Sequence, residues 1–217
     1  MSDVGARALL SPGVSQFPVE WYFDEKLFEL EKKLIFDAGP GYVGHELMVP
    51  EVHDYRSQEW HDHARLVVRQ PDGCYEMSNV CRHRQAIMLQ GAGNAKNIVC
   101  PIHRWTYDTG GELIGAPHFP ANPCLNLAKQ KLENWQGLLF KGPRSANADL
   151  AGMKVASELG FEGYKLDHVE LHQCNYNWKT FIEVYLEDYH VVPYHPGLGG
   201  FVTCDDLTWQ FGDWYSV

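Results

Sequence analysis

The 217-residue sequence predicts an α+β fold, a β domain with helical segments on either side of it in the chain. Three observations carry that prediction. Apolar residues recur at helical spacing between Asp24 and Phe36. From Tyr42 to about Pro143, short alternating runs are punctuated by turn residues. After Trp178 the helical spacing returns.

Each element follows from local chemistry. Residues 1–23 are irregular and end in the aromatic pair Trp21-Tyr22. Asp24 is suited to cap a helix running through about Phe36, with Leu27, Phe28, Leu30, Leu34 and Ile35 on one side, and "DAGPG" stops it. In the middle region Pro71-Asp72-Gly73 links two strands of "ARLVVRQPDGCYEMSNV", and "NWQGLLFKG" has the same character, so a small antiparallel β domain is expected. "RSANADLAGM" reads as a surface linker. "YKLDHVELHQCNYNW" alternates as a strand, "WKTFIEVYLEDYHVV" follows as a helix ended by Pro193, and "LTWQFGDWYSV" alternates as a strand again. The expected segments are residues 1–41 (helical), 42–145 (β domain) and 146–217 (the beginning of a second domain).

Composition excludes several classes. A formal charge of −10 argues against a nucleic-acid partner, because phosphate binding requires a basic field. No run of about eighteen apolar residues is present, so no membrane span is expected. "MSDVGARALLSPG" is not a secretory signal. The six cysteines, at positions 74, 81, 100, 124, 174 and 204, are scattered rather than dense. That pattern suits a reducing cytoplasm, where paired cysteines bind metal more often than they form disulfides.

The chemistry concentrates in "CRHRQAIMLQGAGNAKNIVCPIHRWTYD". Cys81 pairs with His83, and Cys100 with His103, with sixteen residues between the pairs. Three readings compete: four unrelated residues, a structural zinc site, or a [2Fe–2S] cluster. Zinc accepts two Cys and two His, but its usual order groups the cysteines together and the histidines together. One Cys and one His in each loop suits a cluster whose two irons each receive like ligands. Replacing two thiolates by neutral imidazoles raises the potential into a range of roughly −150 to +300 mV.

"CRHR" and "CPIHRWTYDTGGEL" resemble the two cluster loops of Rieske non-haem iron oxygenases. The resemblance implies that Cys81 and Cys100 hold one iron, and His83 and His103 the other. Respiratory Rieske proteins carry an extra disulfide and a serine hydroxyl facing the cluster. Here those positions are Ala86, Ile102 and Trp105, while Tyr107 is retained, which places the potential at the low end of the range. Gln85 and Arg104 stand where many oxygenases have glycine. Arg82, Arg84 and Arg104 either bond loop carbonyls or form a docking face for an acidic electron donor.

A second constellation lies beyond Trp178. Glu183, Glu187 and His190 fall at i, i+4 and i+7, one face of a continuous helix, and His195 lies past Pro193. Two histidines and a carboxylate suit part of a 2-His-1-carboxylate iron site. "NWKTFIEVYLEDYHVVPYH" resembles the iron-binding segment of the same oxygenases. The resemblance implies His190 and His195 as ligands of a mononuclear Fe(II), and Glu187 as the catalytic bridging carboxylate. It further implies an all-β Rieske domain followed by the start of an α+β, helix-grip-like catalytic domain. It also implies a homotrimer, a ferredoxin or flavin reductase passing electrons from NAD(P)H, and hydroxylation of an organic substrate by O2. Glutamate at 187 leans toward quaternary-ammonium substrates, with aromatic compounds as the other class. The family's third ligand, a late aspartate, has no counterpart here, and Asp205, Asp206 and Asp213 sit too early for it. The sequence is therefore expected to be the N-terminal part of a longer subunit. A Rieske-type ferredoxin acting only as an electron carrier is the alternative.

Other groups are assigned blander roles. His61 and His63 are expected in an exposed loop, and His168, Glu170 and His172 on one face of a strand. Cys74, Cys124, Cys174 and Cys204 are expected as buried small side chains. Trp209, Phe211, Trp214 and Tyr215 are expected in a sheet and the core beneath it, with the lining of an apolar substrate pocket as the alternative.

Overall fold

The computed structural model describes residues 17–186, 190–201 and 208–217. They fall into two compact units, one drawn from residues 1–35 and 173–208, the other from 36–172 and 209–217. Among the described residues no helix is long and apolar enough to cross a membrane.

The larger unit is built from antiparallel strands. These are β1 (Gly41–His45), β2 (Asp54–Ser57), β3 (Arg65–Gln70), β4 (Gly73–Ser78), β5 (Ala92–Asn94), β6 (Asn97–Val99), β7 (Thr106–Asp108), β8 (Leu113–Gly115), β9 (Lys129–Lys131), β10 (Glu133–Trp135) and β11 (Leu138–Lys141). They form sheets ordered β1-β11-β10, β5-β2-β3-β4-β9 and β6-β7-β8. The β3–β4 hairpin turns through Pro71-Asp72 with Gln70 opposite Gly73, as the sequence predicts. Between β10 and β11, Gln136 and Gly137 both have positive φ (52° and 86°), the double left-handed turn whose twist matches antiparallel strands.

Strand β3 shows how the sheets enclose two cores. Alternate residues face opposite sides of a strand. Leu66 and Val68 join one buried cluster with Met77, Ile98, Tyr107 and Leu113, whereas Val67 joins another with Val43, Val49, Leu132 and Leu139. Cys81, Cys100 and Trp105 belong to the first cluster. The metal-binding candidates are therefore rooted in the domain's own hydrophobic core.

The smaller unit contains α1 (Glu25–Glu31). Asp24 caps it, its side chain accepting from the backbone N–H of Lys26 and Leu27 at 2.8 and 3.1 Å, and the last turn to Phe36 widens to a π-helix. The expected apolar stripe is not its buried face: Phe28, Leu30, Leu34 and Ile35 are exposed, and Glu31 is buried.

Several sequence expectations are corrected. The supposed linker contains α2 (Ala146–Asp149), capped by Ser145. Glu133 on β10 accepts from the Ala146 N–H at 2.7 Å, and Ala146 is fully buried. Residues 164–175 form no strand. Their alternation is real, but a strand needs a ladder partner, and none of the described strands pairs with them. His168, Glu170 and His172 are accordingly exposed on irregular chain. The tail forms a tight loop closed by a single Phe211–Ser216 bridge rather than a strand. Trp209, Phe211 and Trp214 are exposed, and the Arg144 guanidinium lies 3.5 Å from the centre of the Trp214 ring. Cys74 is buried as expected, but Cys124 and Cys174 are exposed, and Cys204 lies outside the described residues. His61 is exposed, whereas His63 is half-buried, with Nδ1 2.9 Å from the Ser57 hydroxyl.

Candidate metal centres

The two cysteine loops, one after β4 and one after β6, repeat one backbone design. Cys81 N–H donates to the Ala86 carbonyl at 2.9 Å, and Gln85 N–H donates back to the Cys81 carbonyl at 2.9 Å. Cys100 N–H donates to the Trp105 carbonyl at 2.8 Å, and Arg104 N–H to the Cys100 carbonyl at 3.1 Å. Each turn closes only if the fourth residue after the cysteine is left-handed. Gln85 and Arg104 have φ of 57° and 61°. This explains why glycine suits those positions, and the two side chains cost roughly 1–2 kcal/mol of backbone strain each. Asn79 pins the base of the first loop, donating to the carbonyls of His63 and Leu89 and accepting from the Leu89 N–H.

These loops bring together the four residues singled out in the sequence. Cys81 and Cys100 are 1% and 2% exposed, both free thiols. The rings of His83 and His103 stand 4.7 Å apart. His83 stacks on Trp105 with centroids 4.8 Å apart and planes within 8°, and Phe119 meets both rings edge-on. Burial, then the nearby charges of His103 and Arg84, hold the His83 imidazole below its ordinary pKa, favouring the neutral form that ligates metal. Its Nδ1 is buried without a partner. An unpaired buried nitrogen costs about 1–3 kcal/mol, which coordination would relieve. Tyr107 is fully buried; its hydroxyl accepts from the Arg82 N–H at 3.1 Å and lies 3.7 Å from Cys81 Sγ. Burial pushes that phenol well above its usual pKa, so it stays a donor.

Among the described residues no three His, Cys, Asp or Glu side chains converge on one metal ion. Two thiols and two imidazoles on paired loops fit a two-iron cluster, which takes two ligands at each centre. Sequence reasoning overlooked the His83 stack and Asn79. Trp105 lay inside the motif, but Phe119 comes from fourteen residues further on and carries no local signal.

The second constellation is partly visible. The helix expected to run unbroken to Pro193 is α3 (Trp178–Tyr185), with Asn177 as its N-cap and Leu186 as its C-cap. His190 is the N-cap of a separate short helix, α4 (Val191–Tyr194). Pro193 sits inside that first turn, where its missing N–H has no intrahelical partner to lose. The rings of His190 and His195 are 5.5 Å apart at 78°, close enough to serve one ion. Glu187, like Asp205 and Asp206, lies outside the described residues.

Comparison with known proteins finds two family models that match the chain. Residues 42–132 match the Rieske [2Fe-2S] domain, and residues 157–216 match the ring hydroxylating alpha subunit (catalytic domain). The chain belongs to the Rieske non-haem iron oxygenase α-subunit family. All of the chain is 62% identical to a putrescine 2-hydroxylase of Ralstonia nicotianae, covering 60% of that protein. It is 54% identical to a putrescine 2-hydroxylase of Bordetella bronchiseptica, covering 54%. Among solved structures, the quaternary ammonium Rieske monooxygenase CntA in complex with L-carnitine superposes with a TM-score of 0.73 at 26% identity. That likeness covers 90% of this chain and 60% of CntA. The chain thus spans less than two thirds of the length of the relatives it matches.

Proposed function

We propose that this chain forms the electron-entry domain and part of the catalytic domain of a hydroxylase acting on a small aliphatic amine. One observation carries the electron-transfer role: two dry thiols and two facing imidazoles, one with its buried Nδ1 unpaired, on a matched pair of loops. In this reading Cys81 and Cys100 hold one iron of a [2Fe–2S] cluster, and His83 and His103 the other. His190 and His195 contribute to a mononuclear Fe(II) site. Together these groups supply one-electron transfer and O2 activation when bound.

The chain's own residues orient and insulate. Trp105 and Phe119 fix the His83 ring and exclude water from it. Tyr107 donates toward Cys81 Sγ, while Arg82, Arg84 and Arg104 give an acidic electron donor a positive landing face. Glu187 takes the bridging position, where a carboxylate accepting N–H from ligand imidazoles would fix their tautomers. NAD(P)H would enter through a reductase partner, with trimeric assembly. An amine substrate is favoured over an aromatic hydrocarbon, because the two most similar relatives reported above are putrescine 2-hydroxylases.

A pure electron carrier is separated by iron counting. The 217-residue chain expressed alone should hold about two irons with an EPR signal of low average g, as mixed ligation requires. His103→Cys should lower the potential. An all-cysteine ferredoxin signal in the parent would sink the cluster assignment. In the full-length enzyme a third iron and putrescine-dependent O2 uptake are expected. Two irons and no uptake there would leave the electron carrier standing.

A further inference from the structure

Residues 17–36 precede both regions that match family models. Their contacts are specific. Glu31 on α1 is the buried acid of that helix, its Oε1 2.6 Å from Lys179 Nζ and its Oε2 accepting from the Trp178 indole N–H at 3.0 Å. The side chains of Lys179 and Glu31 are only 13% and 10% exposed. The ammonium also lies 5.7 Å from the Tyr22 ring centre and 5.4 Å from that of Trp178. A second tie runs alongside. The Asn177 side chain, which caps α3 through Lys179 N–H, donates to the Tyr22 carbonyl at 2.9 Å, and the Tyr22 hydroxyl donates to Glu183.

Lys179 and Glu183 are four residues apart, on one face of α3. Two grips one turn apart resist sliding and rotation about the helix axis. Position matters here because α3 ends at Tyr185 and His190 follows four residues after the C-cap Leu186. Ligand placement must hold to about 0.5 Å for a working site.

We propose that Glu31 is a positioning residue for the mononuclear iron site. It acts through Lys179 and Trp178 to latch the N-terminal segment onto α3, with Tyr22–Glu183 as the second grip. The proposal rests on the reading of His190 and His195 as iron ligands.

The physical signature is that of a buried charge pair. Removing one partner strands the other, whereas removing both is milder. The test compares Glu31→Gln, Lys179→Met and the double variant in the full-length holoenzyme. Three quantities are read: hydrogen exchange of the α3 amides, mononuclear iron per cluster, and the EPR rhombicity of that iron with nitric oxide as probe. Each single variant should raise α3 exchange at least about tenfold while β3 and β4 are unchanged. Mononuclear iron should fall severalfold against an intact cluster absorbance, and the EPR signal should broaden. The double variant should lie nearer the parent than either single one. Unchanged α3 exchange would show that no latch exists. Faster exchange with full iron and an unaltered EPR signal would reduce the latch to a structural contact. If the parent itself holds no mononuclear iron, the iron-site reading and this assignment both fall, while exchange still decides the latch.

Discussion

Replacing Tyr107 by Phe removes one oxygen from the candidate cluster pocket and changes little else, since the ring is fully buried and the shapes match. The hydroxyl has two neighbours: it accepts from Arg82 N–H at 3.1 Å and stands 3.7 Å from Cys81 Sγ. A bound cluster gains one negative charge on reduction, and a donor at the thiolate stabilises that state more than the oxidised one. A hydrogen bond to a charged group contributes about 1.5–3 kcal/mol, and the long O···S distance argues for a differential near 1 kcal/mol. A tenfold change is about 1.4 kcal/mol and 59 mV for one electron, so the midpoint should fall by about 40 mV. Loss of the acceptor for Arg82 N–H should cost a further ~1 kcal/mol of stability. Spectroelectrochemical titration at fixed pH and salt reads the first quantity, and thermal unfolding the second. A midpoint unchanged to within about 10 mV, or raised, would refute the donor role.

Asn79→Leu should cost roughly 2–4 kcal/mol and lower cluster retention, because it strands two carbonyls and an amide in a fully buried position; melting temperature and cluster absorbance check it. Gln85→Gly and Arg104→Gly should each raise stability by about 0.5–1 kcal/mol by relieving left-handed backbone, and a lower melting temperature would mean their side chains make contacts that outweigh the strain. The latch should loosen in acid. The Lys179 hydrogen bond, and after it that of Trp178, outweigh desolvation and hold the Glu31 carboxyl below its ordinary value. A depressed folded pKa means this contribution is complete above the unfolded value of about 4.3 and is lost as pH falls through the lower folded one. Protection factors of α3 amides should fall there in the parent and stay flat in Glu31→Gln.

The two candidate cluster loops were legible because their information is local. Cys81-x-His83 and Cys100-x-x-His103 set ligand type and spacing within two short loops, and their turn chemistry needs only neighbouring residues. The β3–β4 hairpin was readable for the same reason. Its turn dipeptide and flanking alternation lie within one stretch of chain.

Elements that depend on distant partners were not readable. The strand-like pattern at 164–175 found no ladder, and Trp209, Phe211 and Trp214 of the tail lie exposed because no described sheet receives them. Glu31 looked like one more surface acid on an amphipathic helix. Its burial depends on Lys179, 148 positions away, whose charge offsets a desolvation that no local pattern encodes. Left-handed φ at Gln85 and Arg104 was signalled only by the glycine that many oxygenases carry there, and the loop hydrogen bonds show why it is needed. Sequence alone determined which residues carry metal-ligating chemistry and where the β3–β4 hairpin turns. Tertiary structure decided which apolar faces are covered, which charges are dry and which aromatic rings surround the ligands, because those free energies arise only when remote segments exclude water together.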